Sequence, residues 1–185
     1  PKFISTLQQH GFKINQFCVF FRIMSTQIIR AGMQHLDDVV PLFDAYRMFY
    51  RQPSDKEGAR NFLRERFERQ DTVLFLAVHN RQPAGFAHLF PFFTSVGLQN
   101  HWILNDLFVN ATFRSLGIGH LLMDACKQHA LKTGAKGLFL QTEKSNQIAR
   151  KFYLAQGFIE DEENVYYEWK AGYHSNDLQL SVLNN

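Results

Sequence analysis

Two glycines stand one residue apart in the segment Arg114-Ser115-Leu116-Gly117-Ile118-Gly119, between a strand-like run and an amphipathic run. The N-terminus of a helix presents unpaired N–H groups and the positive end of its dipole. Glycines at that point let a ligand approach the backbone closely, so a pyrophosphate is a natural guest. A tight turn between a strand and a helix is the alternative, and the glycine pair alone does not decide between the two.

Two common phosphate loops are excluded by the residues around these glycines. His120 and Leu121 follow Gly119, where a P-loop has lysine and then serine or threonine. The third glycine of a dinucleotide-binding fingerprint is missing, as is its acidic residue about twenty positions later. The segment is therefore a candidate site for a different ligand that carries phosphate.

The elements that must position this loop alternate between strand and helix patterns. Strands are predicted at 27–31, 72–79, 85–95, 101–110, 137–142 and 165–169, and helices before Pro53 and at 57–70, 116–131 and 145–156. This order predicts α/β layering with an antiparallel front half and at least one parallel β-α-β crossover at the back.

Composition indicates a soluble globular protein with one substantial core. The chain has 185 residues, of which 45% are hydrophobic, which is enough for a single domain. The net charge of +3 is accounted for by Lys2, Lys13 and Arg22, since residues 1–23 contain no acid. The high pI is therefore weak support for nucleic-acid binding, and no nucleic-acid partner is expected.

The cysteines and the hydropathy pattern predict the compartment. Cys18 and Cys126 lie far apart in the sequence and do not form metal-ligand or disulfide patterns, so we expect no metal. A reducing, cytoplasmic location is the default for such a chain. No apolar stretch is long enough to span a membrane, so no membrane partner is expected.

Three segments are predicted from the pattern along the chain. Residues 1–23 are expected to lie outside the core, as sequence upstream of a natural start at Met24 or as an addition to the recombinant chain. A terminal element that packs through Phe17, Val19 and Phe21 is the alternative. Residues 24–170 are expected to form the functional domain, and residues 171–185 a polar tail.

The wider pattern resembles the GNAT superfamily of N-acetyltransferases. The Arg-x-x-Gly-x-Gly pattern at 114–119, after Leu107-Phe108-Val109, resembles the acetyl-CoA-binding motif. Asn146, Ala149, Tyr153 and Gly157-Phe158 resemble the N-x-x-A-x-x-x-Y-x-x-x-G-F block. The resemblance covers roughly 27–170. It implies an α/β fold with a mixed, mostly antiparallel sheet of six to seven strands, helices on both faces, and a splayed pair of strands beside the glycine loop.

The resemblance also implies a path for acetyl-CoA as co-substrate. The backbone of 107–109 would pair with the pantetheine arm, and the amides of 114–119 would take the pyrophosphate. Attack on the thioester would be direct, with no acyl-enzyme, and Tyr153 would protonate the leaving thiolate. A partly buried core tyrosine is the alternative role for Tyr153. The residues implied for coenzyme binding are Leu107, Phe108, Val109, Arg114, Ser115, Leu116, Gly117, Ile118, Gly119, His120, Asn146, Ala149, Lys151 and Tyr153.

Residues 85–109 look closest to the diamine acetyltransferases of spermidine/spermine type. Aromatic faces and carboxylates suit a flexible aliphatic dication. The acidic run at 160–163 and Asp106 could supply the carboxylates. The resemblance implies a small cationic amine as acceptor and leaves open a homodimer. The predicted substrate-binding residues are Tyr46, Tyr50, Asn105 and Asp106.

Asn105 departs from the pattern, because those enzymes carry a glutamate there and asparagine cannot accept a proton. Asp106 or Glu143 could act as the base with Tyr153 as the acid, a water chain could relay the proton, or the substrate could differ. Asn105 and Asp106 face opposite sides of a regular strand, and a bulge could re-aim one of them. Asp106 is equally well explained as a structural carboxylate bonding a backbone amide, and Glu143 is better explained as a helix cap.

Other functions remain open at this point. The acceptor could be a protein lysine or N-terminal amine, an antibiotic or an amino acid. Asn105 also favours a module that binds acyl-CoA without catalysis. His101 and His120 are expected to lie at the surface rather than to act as bases.

Overall fold

The computed structural model describes residues 26–169 and residue 171. The segment 1–23 and, apart from Ala171, the tail 171–185 lie outside the described residues. The described chain contains strands β1 (Thr26–Arg30), β2 (Val73–His79), β3 (Gln82–Thr94), β4 (Gln99–Val109) and β5 (Leu138–Phe139) and helices α1 (Leu36–Phe49), α2 (Lys56–Arg69), α3 (Ile118–Lys132) and α4 (Gln147–Ala155). Single 3-10 turns occupy Met33–His35 and Ala111–Phe113.

The strands form one mixed sheet in the order β1-β2-β3-β4-β5. The first four strands pair antiparallel with their neighbours, and β5 pairs parallel with β4. The predicted mixed, mostly antiparallel α/β fold is therefore confirmed. The parallel pair β4 and β5 is joined through α3, which is the expected crossover.

The prediction of six to seven strands is wrong for the described residues, which form a five-stranded sheet. Residues 165–169 form no strand, although Val165, Tyr166 and Tyr167 have high β-propensity. Their side chains are largely exposed, and a strand needs a partner ladder and a buried face to be stable. The strand predicted at 137–142 is reduced to Leu138–Phe139 for the same reason, because only these two residues pair with β4.

The chain divides into two units at the boundary between Ser145 and Asn146. The first unit contains the sheet and helices α1 to α3. The second unit contains α4 and the extended segment that follows it. The boundary between the units falls inside the domain predicted at 24–170, whose bounds stay a prediction.

Helices cover both faces of the sheet in the first unit. Leu74, Leu76 and Phe86 belong to one core cluster with the apolar stripe of α1 and with Leu63 of α2. Phe75 alternates with them along β2 and contacts His129 of α3, with ring centroids 5.9 Å apart. Successive side chains of a strand point to opposite faces, so α1 and α2 lie on one face and α3 on the other.

Each helix carries the apolar spacing that this placement requires. In α3, the residues that are buried recur at helical intervals and are Ile118, Leu122, Met123, Cys126 and Ala130. Every helix in the described part of the chain is too short or too polar to span a lipid bilayer.

Asp44 fixes the connection between α1 and α2, and we expect it to make stability depend on pH. Its buried carboxylate accepts hydrogen bonds from Ser54 Oγ (2.7 Å) and the Asp55 N–H (2.8 Å). The Ser54 bond, the Asp55 bond and the Arg47 guanidinium together outweigh burial and lower the pKa of Asp44. A lowered native pKa stabilises the fold above the ordinary aspartate range, and this contribution is lost as pH falls through the native value.

We therefore expect Asp44→Asn to lower the free energy of unfolding by about 2 kcal/mol at pH 7, since it weakens hydrogen bonds to a charged group. The difference from the wild type should shrink as pH falls below about 4. Urea unfolding from pH 7 to pH 3 measures both effects. A loss of the same size at every pH would contradict the role of the charge.

Candidate active site

A bulge in β4 sets the direction of Asp106. In the ladder between β3 and β4, His88 is opposite Asp106 and Leu89 is opposite Leu104, so Asn105 is an extra residue without an opposite partner. Trp102, two residues before Leu104, contacts α3 through His129, with ring centroids 4.8 Å apart. In a regular strand, Asp106 would point to the same face as Trp102 and Leu104, toward α3. Because of the extra residue, Asp106 instead points to the same face as His88, toward α1 and α2. The expected bulge is confirmed.

Asp106 is buried, with one side chain hydrogen-bonded to it and a second close to it. Only 5% of its surface is exposed. Its Oδ1 accepts a hydrogen bond from Asn105 Nδ2 at 3.0 Å, and its Oδ2 lies 3.3 Å from His88 Nδ1. A buried carboxylate needs such donors to offset its loss of hydration. The partners described are side chains rather than the backbone amide that the sequence suggested.

Aromatic side chains of α1 lie on the same face as Asp106. The Tyr46 ring contacts those of Tyr50 and Phe108, with centroids 5.1 and 6.1 Å away. Burial, followed by the negative charges of Glu143 and Asp106, raises the pKa of Tyr50. Two predicted substrate-binding tyrosines and two candidate bases are therefore grouped in one region of the first unit.

Glu143 is paired with Arg51, which the sequence did not single out. Arg51 Nη2 lies 3.2 Å from both carboxylate oxygens of Glu143. Ser145 Oγ also donates a hydrogen bond to Glu143, at 3.3 Å. The helix cap predicted for Glu143 is wrong: Asn146 caps α4, with its Oδ1 accepting from the Ala149 N–H at 3.2 Å. Glu143 is partly exposed and so remains accessible to a cationic ligand.

The glycine loop contains two residues with positive φ. Gly117 is the N-cap of α3 and has a φ of 75°, which side-chain-bearing residues rarely adopt. It provides no side-chain acceptor for the first helical amides, and no atom of the described part of the chain lies within 4 Å of where its Cβ would be. Ser115 also has a positive φ, of 63°. Arg114 Nε donates to the Val109 carbonyl at 3.2 Å, which ties the loop to the end of β4.

β4 separates from β5 as it approaches this loop. Backbone pairing between the two strands covers Trp102 with Leu138 and Ile103 with Phe139. The Trp102 N–H donates to Gly137 O, and the Lys136 N–H donates to Asn100 O, at the same end of the pair. No pairing with β5 is described for residues 107–109. The short ladder is compatible with the expected splay, which stays a prediction, as does the binding of pantetheine by residues 107–109.

The loop and the β4 edge fit a pantetheine diphosphate. Uncapped helical amides and an open approach at Gly117 suit an anion, and a strand edge suits an extended amide chain. Among residues 26–169 and 171, no cluster of three or more His, Cys, Asp or Glu side chains could hold a metal ion. Cys126 is fully buried, and burial raises the pKa of its thiol to about 12. A thiolate nucleophile at Cys126 is therefore excluded at neutral pH.

In the second unit, the predicted residues are found on one short helix. Ala149 and Tyr153 of α4 are half-buried, and Lys151 is exposed. The Tyr153 ring lies 5.9 Å from Phe158, whose N–H donates to the Tyr153 carbonyl at 3.1 Å. Two carboxylates of the acidic run at 160–163 already have partners within this unit. Glu160 forms an ion pair with Arg150 at 2.9 Å, and Asp161 accepts a hydrogen bond from the Asn164 side chain. This weakens its role as a source of substrate carboxylates.

Two histidines, His88 and His101, lie where the sequence did not indicate. His88 is completely buried, and its Nε2 lies 2.9 Å from Thr72 Oγ1. The signal for it was a single histidine within the apolar run Phe86–Phe90. His101 was expected at the surface, but it is buried and stacks on Phe139 with centroids 4.7 Å apart. His120 is exposed in the first turn of α3, as expected.

Comparison with known proteins gives consistent matches. The model of the Acetyltransferase (GNAT) family matches residues 39–158. The uncharacterized N-acetyltransferase YhfO of Bacillus subtilis is 45% identical over 129 residues, covering 70% of this chain and 87% of the relative. The crystal structure of a probable acetyltransferase is similar with a TM-score of 0.75 and 35% identity, covering 80% of this chain and 99% of that chain. An aminoglycoside N-acetyltransferase solved with CoA shares the fold at 20% identity and a TM-score of 0.66, covering 80% and 97% of the two chains.

Proposed function

Because the chain belongs to the acetyltransferase (GNAT) family, we propose that it acetylates a primary amine of a small cationic molecule, with diamines and polyamines as the substrate class. The observation that carries this acceptor class is the set of aromatic rings and carboxylates in one region of the first unit. The Tyr46 ring contacts Tyr50 and also Phe108, two residues after Asp106, and Arg51, next to Tyr50, pairs with Glu143. Two carboxylates beside aromatic rings suit an aliphatic dication, which has a charge at each end and an apolar stem.

Acetyl-CoA supplies the acetyl thioester, and two parts of the first unit would hold it. The amides at 114–119 would bind the pyrophosphate, and the backbone of 107–109 would pair with the pantetheine arm. Four residues of the second unit, Asn146, Ala149, Lys151 and Tyr153, are assigned to the coenzyme by the motif alone. The N-terminus of α3, which has no side-chain cap, and the short ladder between β4 and β5 support the first part of this proposal.

The acceptor amine would be positioned by charge and by aromatic contact. Its reacting end would lie near Asp106, and its second ammonium would pair with Glu143 in place of Arg51. Tyr46 and Tyr50 would flank the apolar stem. Asp106 is preferred over Glu143 as the base, because Glu143 already pairs with Arg51 and Asp106 is fixed by Asn105.

The proton transfers then balance as follows. Asp106 removes one proton from the acceptor ammonium, directly or through a water, and frees the nitrogen lone pair for attack. The C–N bond forms as the C–S bond breaks, and Tyr153 donates its phenolic proton to the departing sulfur. The new amide nitrogen loses a second proton, which restores Tyr153 through solvent. One proton is released to solvent per turnover, from Asp106.

Thiol release from acetyl-CoA tests this proposal on a panel of short diamines, spermidine, amino acids, aminoglycosides and a lysine peptide. We expect turnover on the diamines and spermidine. Tyr153→Phe should lower kcat by about 10²-fold or more, because it removes a general acid. Tyr167→Phe is the matched control, since Tyr167 is exposed in the same unit, and it should keep the wild-type rate.

The other outcomes of this panel are equally informative. Turnover restricted to the lysine peptide would replace the small-amine proposal by a protein acceptor. Coenzyme binding without turnover on any amine would indicate a non-catalytic acyl-CoA-binding module. Equal rates in the wild type and Tyr153→Phe would remove Tyr153 from the mechanism.

A further inference from the structure

His88 and Asp106 form a buried pair whose position is not explained by stability. Both lie on the face of the sheet toward α1 and α2, opposite each other across β3 and β4. The exposed fraction is 0% for His88 and 5% for Asp106. Replacing a buried charged pair by apolar side chains is often neutral or stabilising in proteins. A buried carboxylate in the middle of a sheet therefore points to a use other than holding the fold together.

The two ring nitrogens of His88 lie near different polar side chains. Nε2 lies 2.9 Å from Thr72 Oγ1, within hydrogen-bond distance. Nδ1 lies 3.3 Å from Asp106 Oδ2, but it is buried and makes no hydrogen bond within the described residues. A carboxylate only accepts hydrogen bonds, so Nδ1 must carry the hydrogen to interact favourably with it. In the neutral ring, Nε2 then accepts from the Thr72 hydroxyl. The ring itself is packed between Phe90, 4.5 Å away, and the edge of Phe62, 6.4 Å away.

The second oxygen of Asp106 is fixed by the bulge residue. Asn105 Nδ2 donates to Oδ1 at 3.0 Å. Asn105 therefore holds one oxygen by a hydrogen bond, and the His88 imidazole lies beside the other at 3.3 Å without a hydrogen bond. Each oxygen keeps at least one lone pair for a proton from a ligand. The titratable groups that face this region are His88 from β3, Tyr50 from the end of α1 and Glu143 from the segment after β5.

We propose that His88, acting with Asn105, is a positioning residue that holds the Asp106 carboxylate in the orientation needed to accept the proton of the acceptor amine. This rests on the proposed function, in which Asp106 is the base. It also gives Asn105 a role: the residue that stands in place of a glutamate orients the base instead of being the base. The transfer itself runs from the acceptor nitrogen to Asp106, and His88 keeps its Nδ1 hydrogen throughout.

The tautomer of His88 tests the arrangement without any acceptor. Long-range proton–nitrogen NMR of the full chain should show a hydrogen on Nδ1, in a neutral or doubly protonated ring. The preference for Nδ1–H should weaken in Asp106→Asn, whose neutral amide attracts that hydrogen less. A wild-type ring with a bare Nδ1 and a hydrogen on Nε2 would overturn the proposal, because Nδ1 would then repel the carboxylate.

Kinetics with acetyl-CoA and spermidine test the consequence for the rate. His88→Met, of similar length but without a donor, should lower kcat by about 10- to 100-fold and leave KM for acetyl-CoA unchanged. His88→Gln restores an N–H donor and should recover most of the loss. His101→Met is the matched control, a buried histidine of the adjacent strand that contacts Phe139 and not Asp106, and should keep kcat. Equal losses in His88→Met and His88→Gln would indicate packing only and overturn the proposal.

Different results would contradict the role of Asp106 as the base and the role of His88 as a positioning residue. If Asp106→Asn keeps the wild-type rate, the proposed base is wrong, whatever the His88 variants do. If Asp106→Asn loses activity while His88→Met does not, the base stands and the positioning role of His88 falls. Thermal melting of each variant separates loss of the fold from loss of rate.

Discussion

Replacing Asp106 by asparagine is expected to lower kcat/KM for a diamine by about 10²- to 10⁴-fold, the range typical for loss of a general base. The amide has nearly the same shape as the carboxylate and can still accept a hydrogen bond from Asn105. It cannot take a proton from an ammonium ion or pair with it as a charge. The affinity for CoA should be unchanged, because Asp106 faces α1 and α2, away from the glycine loop at the start of α3.

The steady-state rate of thiol release measures this effect, and calorimetry measures CoA affinity. Asp124→Asn is the control, since Asp124 is an exposed aspartate on α3 and its loss should leave both quantities unchanged. Full activity in Asp106→Asn would transfer the role to the other candidate carboxylate. Glu143→Gln would then show the large loss, although in our assignment it chiefly raises KM for the acceptor.

Gly117→Val is expected to weaken CoA binding by about 10²-fold or more while reducing the free energy of unfolding by only about 2 kcal/mol. A β-branched residue is strained at the positive φ of Gly117, and its side chain would enter the open approach to the first amides of α3. The strain at this one residue lowers the free energy of unfolding by a limited amount. The obstruction and the shifted amides weaken every contact with the pyrophosphate, so the loss of CoA affinity is larger.

Gly134→Val separates the two effects. Gly134 follows α3 at its other end, has a φ of 67°, and likewise has nothing within 4 Å of where its Cβ would be. The same substitution there should cost similar stability and leave CoA affinity unchanged. Calorimetric titration with CoA and urea unfolding of both variants make the comparison. Parallel losses of affinity and stability in Gly117→Val, matched by Gly134→Val, would show that residues 114–119 are only a turn.

Most helices and strands of the first unit could be predicted from local sequence patterns. Runs such as 72–79 and 101–110 contain enough β-branched, aromatic and apolar residues to specify strands, and their observed ends differ by one or two residues. The helix ahead of Pro53, the crossover through α3 and the left-handed glycine at its start follow from equally local signals. Residues 165–169 have the same kind of composition but no strand beside them, and a partner strand is not a property of the segment itself.

The residues of the candidate site could be predicted from the sequence, but the contacts between them could not. Asp106, Glu143, Tyr46 and Tyr50 were candidate site residues in the sequence, and the structure places these four in one region of the first unit. Arg51 could not be found as the partner of Glu143, because 92 positions of sequence separate them. His88 was overlooked because a histidine in an apolar strand is usually a satisfied core residue; its significance depends on the register that puts Asp106 opposite it.

Because Asn105 is an extra residue in β4, it can be lost without turning its neighbours to the other face of the sheet. If Asn105 were deleted, Leu104 and Asp106 would become neighbours opposite Leu89 and His88, and both would keep their present faces. A deletion at Leu107 would instead bring Phe108 opposite Ala87 and turn its side chain to the other face of the sheet. Homologous strands that differ by one residue are therefore expected to carry the gap at position 105, and an alignment that places it elsewhere would put a core side chain where the carboxylate belongs.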